Sequence, residues 1–254
     1  MNLSRFSKAL AAVLVLSLIA TPVAAVAVTS ENLPAETQAQ SEASATFTFS
    51  ELYADGSQEW TLEAKTNLTG AQWTVKKQKL GGDVVSESYQ GRTFETTVSS
   101  NENVETVTVT VTGDVPKVKN FTYDPVETYL FAGFNKTVGS ASNVIATERV
   151  HHFTEKSKEA RNAIESAQAA IDAAGGDQQA QQTLNNAISS YNNGNFANAI
   201  DLANQAEQRA TQKQEVSSRN QLLLYAGIGV VALLAVVGGV LYWRSQQDSY
   251  DKLR

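Results

Sequence analysis

The sequence contains no cysteine, one methionine, four prolines and two histidines among its 254 residues. Without cysteine, the chain has no disulfide framework, no thiolate metal site, no cysteine nucleophile and no lipid-modified cysteine. Two histidines leave few ligands for metal or redox chemistry, so we predict no cofactor. Acidic residues outnumber basic ones by 26 to 20, a net charge of -6, which argues against nucleic acid as a partner.

The N-terminus has the layout of a secretory signal peptide over residues 1–27. Two basic residues precede an apolar run at 9–28, which ends in small side chains. The small-x-small pattern of Ala25-Val26-Ala27 predicts cleavage after Ala27. Cleavage two residues earlier and an uncleaved signal anchor are the alternatives.

A second apolar run, LLLYAGIGVVALLAVVGGVLYW at 222–243, has 22 residues and no charge. At about 1.5 Å of rise per residue, it is long enough to cross the roughly 30 Å hydrocarbon core of a bilayer. Polar residues follow at 244–254. We therefore predict a single-pass protein of the cell membrane, with residues 28–221 outside and a cytoplasmic tail at 244–254.

Small residues cluster within the predicted span at Ala235, Gly238 and Gly239. Such a patch lets two membrane helices approach closely, and it predicts association through the span. The alternative is that glycine is simply common in membrane helices.

Short segments between residues 45 and 146 alternate apolar and polar side chains and are rich in β-branched and aromatic residues. Val107, Val109 and Val111, for example, alternate with threonines. Seven or eight such segments, separated by turn residues, predict an antiparallel β-sandwich. Their number and spacing resemble the immunoglobulin-like or fibronectin-like modules of surface proteins. The stretch 28–44 has no aromatic residue and predicts a disordered leader.

From 147 to 221 the apolar spacing becomes helical. Thr154, Asp177 and Asn195 are placed to cap three successive helices, whose apolar stripes consist mainly of alanine. The predicted fold class is therefore α+β and multidomain: an antiparallel β-sandwich, a helical hairpin or three-helix bundle, and one transmembrane helix.

Part of this helical region, the pattern Ala-x3-Tyr-x2-Gly-x-Phe-x2-Ala-Ile-x5-Ala from Ala187 to Ala206, resembles one tetratricopeptide helical hairpin. The resemblance covers about 30 residues and has no threefold repetition. It implies a helical spacer or, as the alternative, a hairpin that docks a peptide or protein.

The one dense polar cluster is ERVHHFTE, at the junction of the two regions. On a helix, Glu148 and His152 would share a face, and so would His151 and Glu155, so either pair is a candidate metal ligand set. The motif is neither HExxH nor its inverted form, and ordinary junction hydrogen bonds are the favoured interpretation. A pH-sensitive hinge is a further hypothesis, since histidine titrates near pH 6.5.

Asn67, Asn120 and Asn135 each begin an Asn-x-Thr sequence, the acceptor pattern for N-glycosylation. All three precede the helical region. We predict them as candidate glycosylation sites of a glycoprotein.

The domain order resembles that of predicted single-pass surface proteins of archaea. It implies a binding, adhesion or scaffolding protein, anchored in the bilayer, that presents its sandwich to an envelope protein or glycan. The alternatives are an accessory subunit of a secretion, pilus or transport complex and a metal-dependent ectoenzyme. Because the sequence holds no recognised catalytic motif, we predict that the protein is not an enzyme.

Overall fold

The computed structural model describes residues 25–214. Within them, ten β-strands are followed by three α-helices. The strands are β1 (Ala27–Glu31), β2 (Glu36–Gln38), β3 (Glu42–Ser50), β4 (Glu59–Lys65), β5 (Thr69–Lys79), β6 (Val84–Gln90), β7 (Thr93–Ser99), β8 (Val104–Asp114), β9 (Thr128–Val138) and β10 (Ala141–Phe153). The helices are α1 (Glu155–Ala173), α2 (Gln178–Asn192) and α3, which occupies 196–214 of the described chain.

The strands form two five-stranded sheets that pack face to face as a sandwich. The first sheet has the order β1-β3-β8-β5-β6 and the second β2-β10-β9-β4-β7. Strand pairs are antiparallel except for β2 with β10. Period-two alternation turns Val107, Val109 and Val111 into the core. Phe47 and Phe134, from opposite sheets, meet there with ring centroids 4.9 Å apart.

Strand register defines two ends of the sandwich. The β5–β6 and β9–β10 hairpin turns lie at the distal end, because Lys79 pairs with Val104 at the start of β8 and Thr137 pairs with Thr61 near the start of β4. At the opposite, proximal end, β10 runs into α1 through Thr154. The connecting segment 115–127, between β8 and β9, leaves from this proximal end as well.

The structure corrects the predicted boundaries on both sides of the sandwich. The stretch 28–44, expected to be a disordered leader, contributes β1, β2 and the start of β3. β1 pairs with β3 along its whole length, and Val28 and Leu33 pack against the sandwich core. At the other side, the expected change to helix at 147 occurs only after Phe153, the last residue of β10.

The helices pack through a seam of alanines that are fully buried, including Ala160, Ala167, Ala187 and Ala203. Thr154 caps α1 in a capping box with Ser157, and the Asp177 side chain accepts a 2.7 Å hydrogen bond from the Ala180 N–H. The caps predicted from the sequence at these two positions are confirmed.

The predicted transmembrane helix requires a correction to the fold class. Among residues 25–214, no helix combines the length and the apolar character needed to cross a bilayer. The described helices are amphipathic; α1, for example, exposes Glu155, Lys156 and Glu159. The structure thus shows an α+β fold of two sheets and three helices, and the predicted single-pass membrane location is corrected with it.

Several sequence predictions fall on other parts of the chain. Residues 1–24 of the predicted signal peptide, the predicted span 222–243 with Ala235, Gly238 and Gly239, and the predicted tail 244–254 lie outside the described residues.

Candidate functional site

The ERVHHFTE motif lies at the end of a strand, which changes its chemistry. Glu148, His151 and His152 are in β10, and Glu155 is the first residue of α1. Because side chains alternate along a strand, His152 is buried in the sandwich whereas the neighbouring His151 lies on the opposite face. The helical spacing on which the candidate metal pairs depended is therefore wrong. Among residues 25–214, no group of three or more potential ligands is arranged to hold a metal ion.

The two histidines instead hold both ends of the connecting segment 115–127. His152 Nδ1 lies 3.1 Å from the carbonyl oxygen of Pro116, and His151 Nδ1 lies 2.8 Å from that of Glu127. Each Nδ1 carries the proton in these contacts, since a carbonyl only accepts. Burial lowers the pKa of His152, against the opposing effects of the Pro116 carbonyl and Glu127. The predicted junction hydrogen bonds are confirmed, and they fix the path of the segment.

A cleft of about 680 Å³ lies beside this motif, between the sandwich and α1. Its lining residues are Gln38, Phe153, Glu155, Lys158, Glu159 and Asn162. The Lys158 ammonium lies over the Phe153 ring, 4.4 Å from its centroid, and pairs with Glu36 of β2. These contacts join α1 to the sandwich, so the cleft is part of the junction between them.

The connecting segment supplies aromatic side chains to the helices, a role that the sequence analysis missed. Phe121 and Tyr123 alternate with polar residues, a pattern that indicates a strand, but they lie outside the strands and pack on the helical core. Both rings contact buried Tyr191 edge to face, at 6.4 and 5.9 Å between centroids, and Phe121 also contacts Phe196. The prolines at 116 and 125 were the available signal, because proline disfavours a central strand.

Polar contacts complete this aromatic cluster. Arg161 of α1 donates a 2.8 Å hydrogen bond to the carbonyl oxygen of Tyr123 and lies 4.5 Å from the centroid of its ring. The Tyr123 N–H donates to Asn192 Oδ1 at 2.7 Å. Segment 115–127 therefore belongs to the core of both the sandwich and the helices.

Two lysines are buried near the distal end, which sequence reasoning did not anticipate. Lys77 is 5% exposed and pairs with Glu87 at 2.8 Å. Tyr89 and Thr96 donate to the other Glu87 oxygen, each at 2.7 Å. Burial would raise the pKa of Glu87, but the hydrogen bonds from Lys77, Tyr89 and Thr96 outweigh it, and the pKa is lowered. Thr96 belongs to β7, so this network ties the two sheets together.

Lys136, the second buried lysine, anchors the loop between β3 and β4. Its Nζ lies 2.8 Å from Asp55 Oδ1, 3.3 Å from the Leu52 carbonyl oxygen and 4.8 Å from the centroid of the Trp60 ring. The hydrogen bond from Lys136 lowers the pKa of Asp55. Both lysines therefore hold the distal loops and hairpins in place from inside.

Large apolar side chains are nevertheless exposed at the distal end. Six large hydrophobic residues of the described chain are exposed: Leu80, Val84, Val85, Val126, Val138 and Val144. All except Val126 belong to the β5–β6 and β9–β10 hairpins. Leu80 and Val144 are each 70% exposed. No feature of the linear sequence separates these residues from core positions, because hairpin tips and buried strand ends look alike.

The three candidate glycosylation residues are in different environments. Asn67 is exposed in the loop between β4 and β5, and Asn120 is exposed in the connecting segment. Asn135 is half-buried within β9, which has a strand on each side. Glycosylation at these positions stays a prediction, and exposure favours Asn67 and Asn120.

No known protein family and no curated protein matches the chain. Weakly similar solved structures include Spo0M, a sporulation control protein from Bacillus subtilis, with a TM-score of 0.32, 10% identity, and 56% of each chain covered. A second is the Pseudomonas fluorescens alkylpurine DNA glycosylase AlkC bound to DNA containing an abasic site analog, with a TM-score of 0.24, 8% identity, and 50% of this chain and 30% of the glycosylase covered. A third is AvmM, which catalyzes macrocyclization in alchivemycin A biosynthesis, with a TM-score of 0.26, 11% identity, and 52% of this chain and 92% of AvmM covered.

The chain thus spans about half the length of the sporulation protein and under a third of the glycosylase. At these TM-scores the similarities indicate neither a fold family nor a function for this chain.

Proposed function

We propose that this chain is a non-catalytic protein-binding module whose contact surface is the distal end of the sandwich. The observation that carries the proposal is the concentration of exposed aliphatic side chains on the two distal hairpins. Single exposed apolar residues are ordinary, but several at one end of a domain are typical of an interaction site.

The energetics favour burial of these side chains by a partner. Fully burying a valine or leucine contributes about 1.5–3 kcal/mol relative to leaving it in water. Leu80 and Val144, each 70% exposed, retain most of that gain for an intermolecular contact. A partner that covered both would have the apolar centre of a typical protein interface.

Rigidity at the distal end supports the same function. The Lys77–Glu87 pair lies beneath the β5–β6 hairpin, and Lys136 ties the β3–β4 loop to β9. A surface held in one conformation before binding loses less entropy when a partner arrives. The buried charges thereby favour a preformed contact surface.

The chemistry of the exposed residues favours a protein partner over a glycan. Aliphatic side chains offer apolar area but no hydrogen bonds, whereas a hydroxyl-rich glycan requires several polar partners to replace its water. We therefore expect the partner to present an apolar patch of its own.

Photo-crosslinking tests this proposal directly. A photoreactive amino acid replaces Leu80, Val144 or Val126 in the full chain, expressed in its native host. Val126 is the matched control, since it is 44% exposed but lies on the connecting segment at the proximal end. We expect the photoreactive residue at position 80 and that at position 144 to form an adduct with the same partner, and the residue at position 126 to form none. The adduct from position 80 should be lost when residue 144 is aspartate, and the adduct from position 144 should be lost when residue 80 is aspartate. Equal adducts from all three positions would overturn the proposal.

A further inference from the structure

Strand β6 forms one edge of the first sheet, and within residues 25–214 no strand pairs with its outer side. It is seven residues long, and its register with β5 has no bulge. The strand therefore presents a straight edge to which another extended strand can be added.

The hairpin turn identifies which backbone groups face outward. The Lys79 N–H donates a 2.8 Å hydrogen bond to the Asp83 carbonyl oxygen, so residues 79 and 83 form a hydrogen-bonded pair. Hydrogen-bonded and non-hydrogen-bonded pairs alternate along an antiparallel ladder. From the β5–β6 register, Val84, Ser86, Ser88 and Gln90 consequently turn their N–H and C=O groups away from β5.

This edge lacks the features that usually protect a sheet from pairing. Natural edges carry lysine, proline, bulges or inward charges, or they are very short. The β6 sequence, VVSESYQ, has no lysine and no proline, and its single charge, Glu87, is neutralised by Lys77 of the same sheet. By contrast, the β2 edge of the second sheet is only three residues long.

We propose that β6 pairs antiparallel with β6 of a second copy of this chain, forming a dimer with one sheet continuous across a two-fold axis. With the axis at Glu87, Ser86 faces Ser88 and Val84 faces Gln90. Each of these four residues meets a residue whose backbone groups also face outward, so the edge is self-complementary.

The charges along the β6 edge also favour a second copy of this chain as the partner. The outward positions 84, 86, 88 and 90 carry no charged side chain, so two copies meet without like-charge repulsion. The two Glu87 carboxylates near the axis are each held by a Lys77 ammonium at 2.8 Å. Val84 and Val85 of β6 also belong to the exposed distal residues, but Leu80 and Val144 lie outside β6. The dimer therefore does not depend on the proposed function of the distal end.

Charge substitution at Ser86 and Ser88 tests the dimer, because these two residues face each other across the axis. Sedimentation of the full chain is measured over a concentration series for the unsubstituted protein, for Ser86→Glu with Ser88→Glu, and for Ser86→Lys with Ser88→Lys. We expect the unsubstituted chain to form dimers in a concentration-dependent manner. The dimer dissociation constant should rise at least about tenfold in each double variant, and dimers should form again when the two variants are mixed.

Thr93→Glu with Thr97→Glu is the matched control, since both threonines are exposed on β7, the edge strand of the second sheet. This variant should dimerise like the unsubstituted chain. An unsubstituted chain that is monomeric at every concentration would overturn the proposal. So would a double variant that dimerises as strongly as the unsubstituted protein, or a mixture of the two variants that does not form dimers.

Discussion

The two ends of the sandwich differ in how far their apolar side chains are covered. At the proximal end, Phe121 and Tyr123 of the connecting segment are covered by the helices and meet Tyr191 in a shared core. At the distal end, Leu80 and Val144 are exposed although the loops and hairpins around them are held by buried ion pairs. Within residues 25–214, the helices therefore cover the proximal end, whereas Leu80 and Val144 stay exposed at the distal end.

The core of the sandwich and the core of the helices contain side chains of different size. The sandwich fills its interior with phenylalanine, tryptophan, leucine and valine, whereas the helices are packed mainly through alanines. Alanine buries little area, so the helices depend more on the few large rings at their junction with the sandwich. Substitutions at the two ends should therefore differ in their effects on stability and on binding.

The largest effect is expected from Tyr191→Ala at the proximal end. Tyr191 is 1% exposed and contacts the rings of Phe121, Tyr123 and Phe196. Removing a buried aromatic ring costs about 3–5 kcal/mol of unfolding free energy, because the cavity cannot close around alanines. Urea unfolding followed by circular dichroism measures the loss. Val126→Ala, at an exposed position of the same junction, is the control, and a loss for Tyr191→Ala as small as the control's would refute the shared core.

A smaller loss is expected from Glu87→Gln near the distal end. The substitution leaves the Lys77 ammonium, whose side chain is 6% exposed, without its counterion. Breaking a buried pair costs about 3–5 kcal/mol, and the partial exposure of Glu87 reduces this to about 2 kcal/mol. Urea unfolding at neutral pH is the measurement. Glu95→Gln, on an exposed position of β7, should have no effect, and equal stabilities of the two variants would contradict the account.

The pH dependence of Glu87 supplies an independent check. Its pKa is lowered in the folded protein, so the stabilisation is present above the unfolded value of about 4.3 and is lost as pH falls through the folded value. The acid-induced loss of stability should therefore be shallower in Glu87→Gln than in the unsubstituted chain. Thermal unfolding at a series of acidic pH values measures the slope, and identical slopes would exclude a charged Glu87 in the folded state.

At the proximal end, His152 predicts a weaker dependence in a different pH range. Burial lowers its pKa, so as pH falls below about 6.5 the unfolded chain binds the proton first. Stability should decrease from pH 6.5 downward, and His152→Gln should flatten that decrease. Thermal unfolding between about pH 7.5 and 5 measures it. A curve unchanged by the substitution would contradict the buried, neutral imidazole.

The sequence predicted the parts of this molecule that follow from local rules. Thr154 and Asp177 cap helices as their residue types indicate, and the threonine-valine alternation of β8 is that of a half-buried strand. Long-range contacts were not predictable in this way. The polar stretch 28–44 is ordered by the pairing of β1 with β3 and of β2 with β10. Lys77 is buried beside Glu87, which also accepts a hydrogen bond from Thr96 of the other sheet.

At the candidate site, too, local features could be predicted from the sequence and long-range geometry could not. His151 and His152 were identified as a junction feature, but their chemistry depended on strand or helix geometry, which a short motif does not determine. The distal surface was not predictable, because the exposure of Leu80 and Val144 results from where two hairpins end in the assembled sandwich.

The smallest effect on stability is expected from Val144→Asp, which should change the unfolding free energy by no more than about 0.5 kcal/mol because the side chain is largely exposed. Its effect on binding should be the largest of all the substitutions. A large loss of affinity with almost no loss of stability tests most directly the claim that the distal end is a contact surface.

The measurement is the affinity of the crosslinked partner for Val144→Asp compared with its affinity for Val126→Asp. The account predicts at least about tenfold weaker binding for Val144→Asp and unchanged binding for Val126→Asp. Equal affinities, or a loss confined to Val126→Asp, would contradict it.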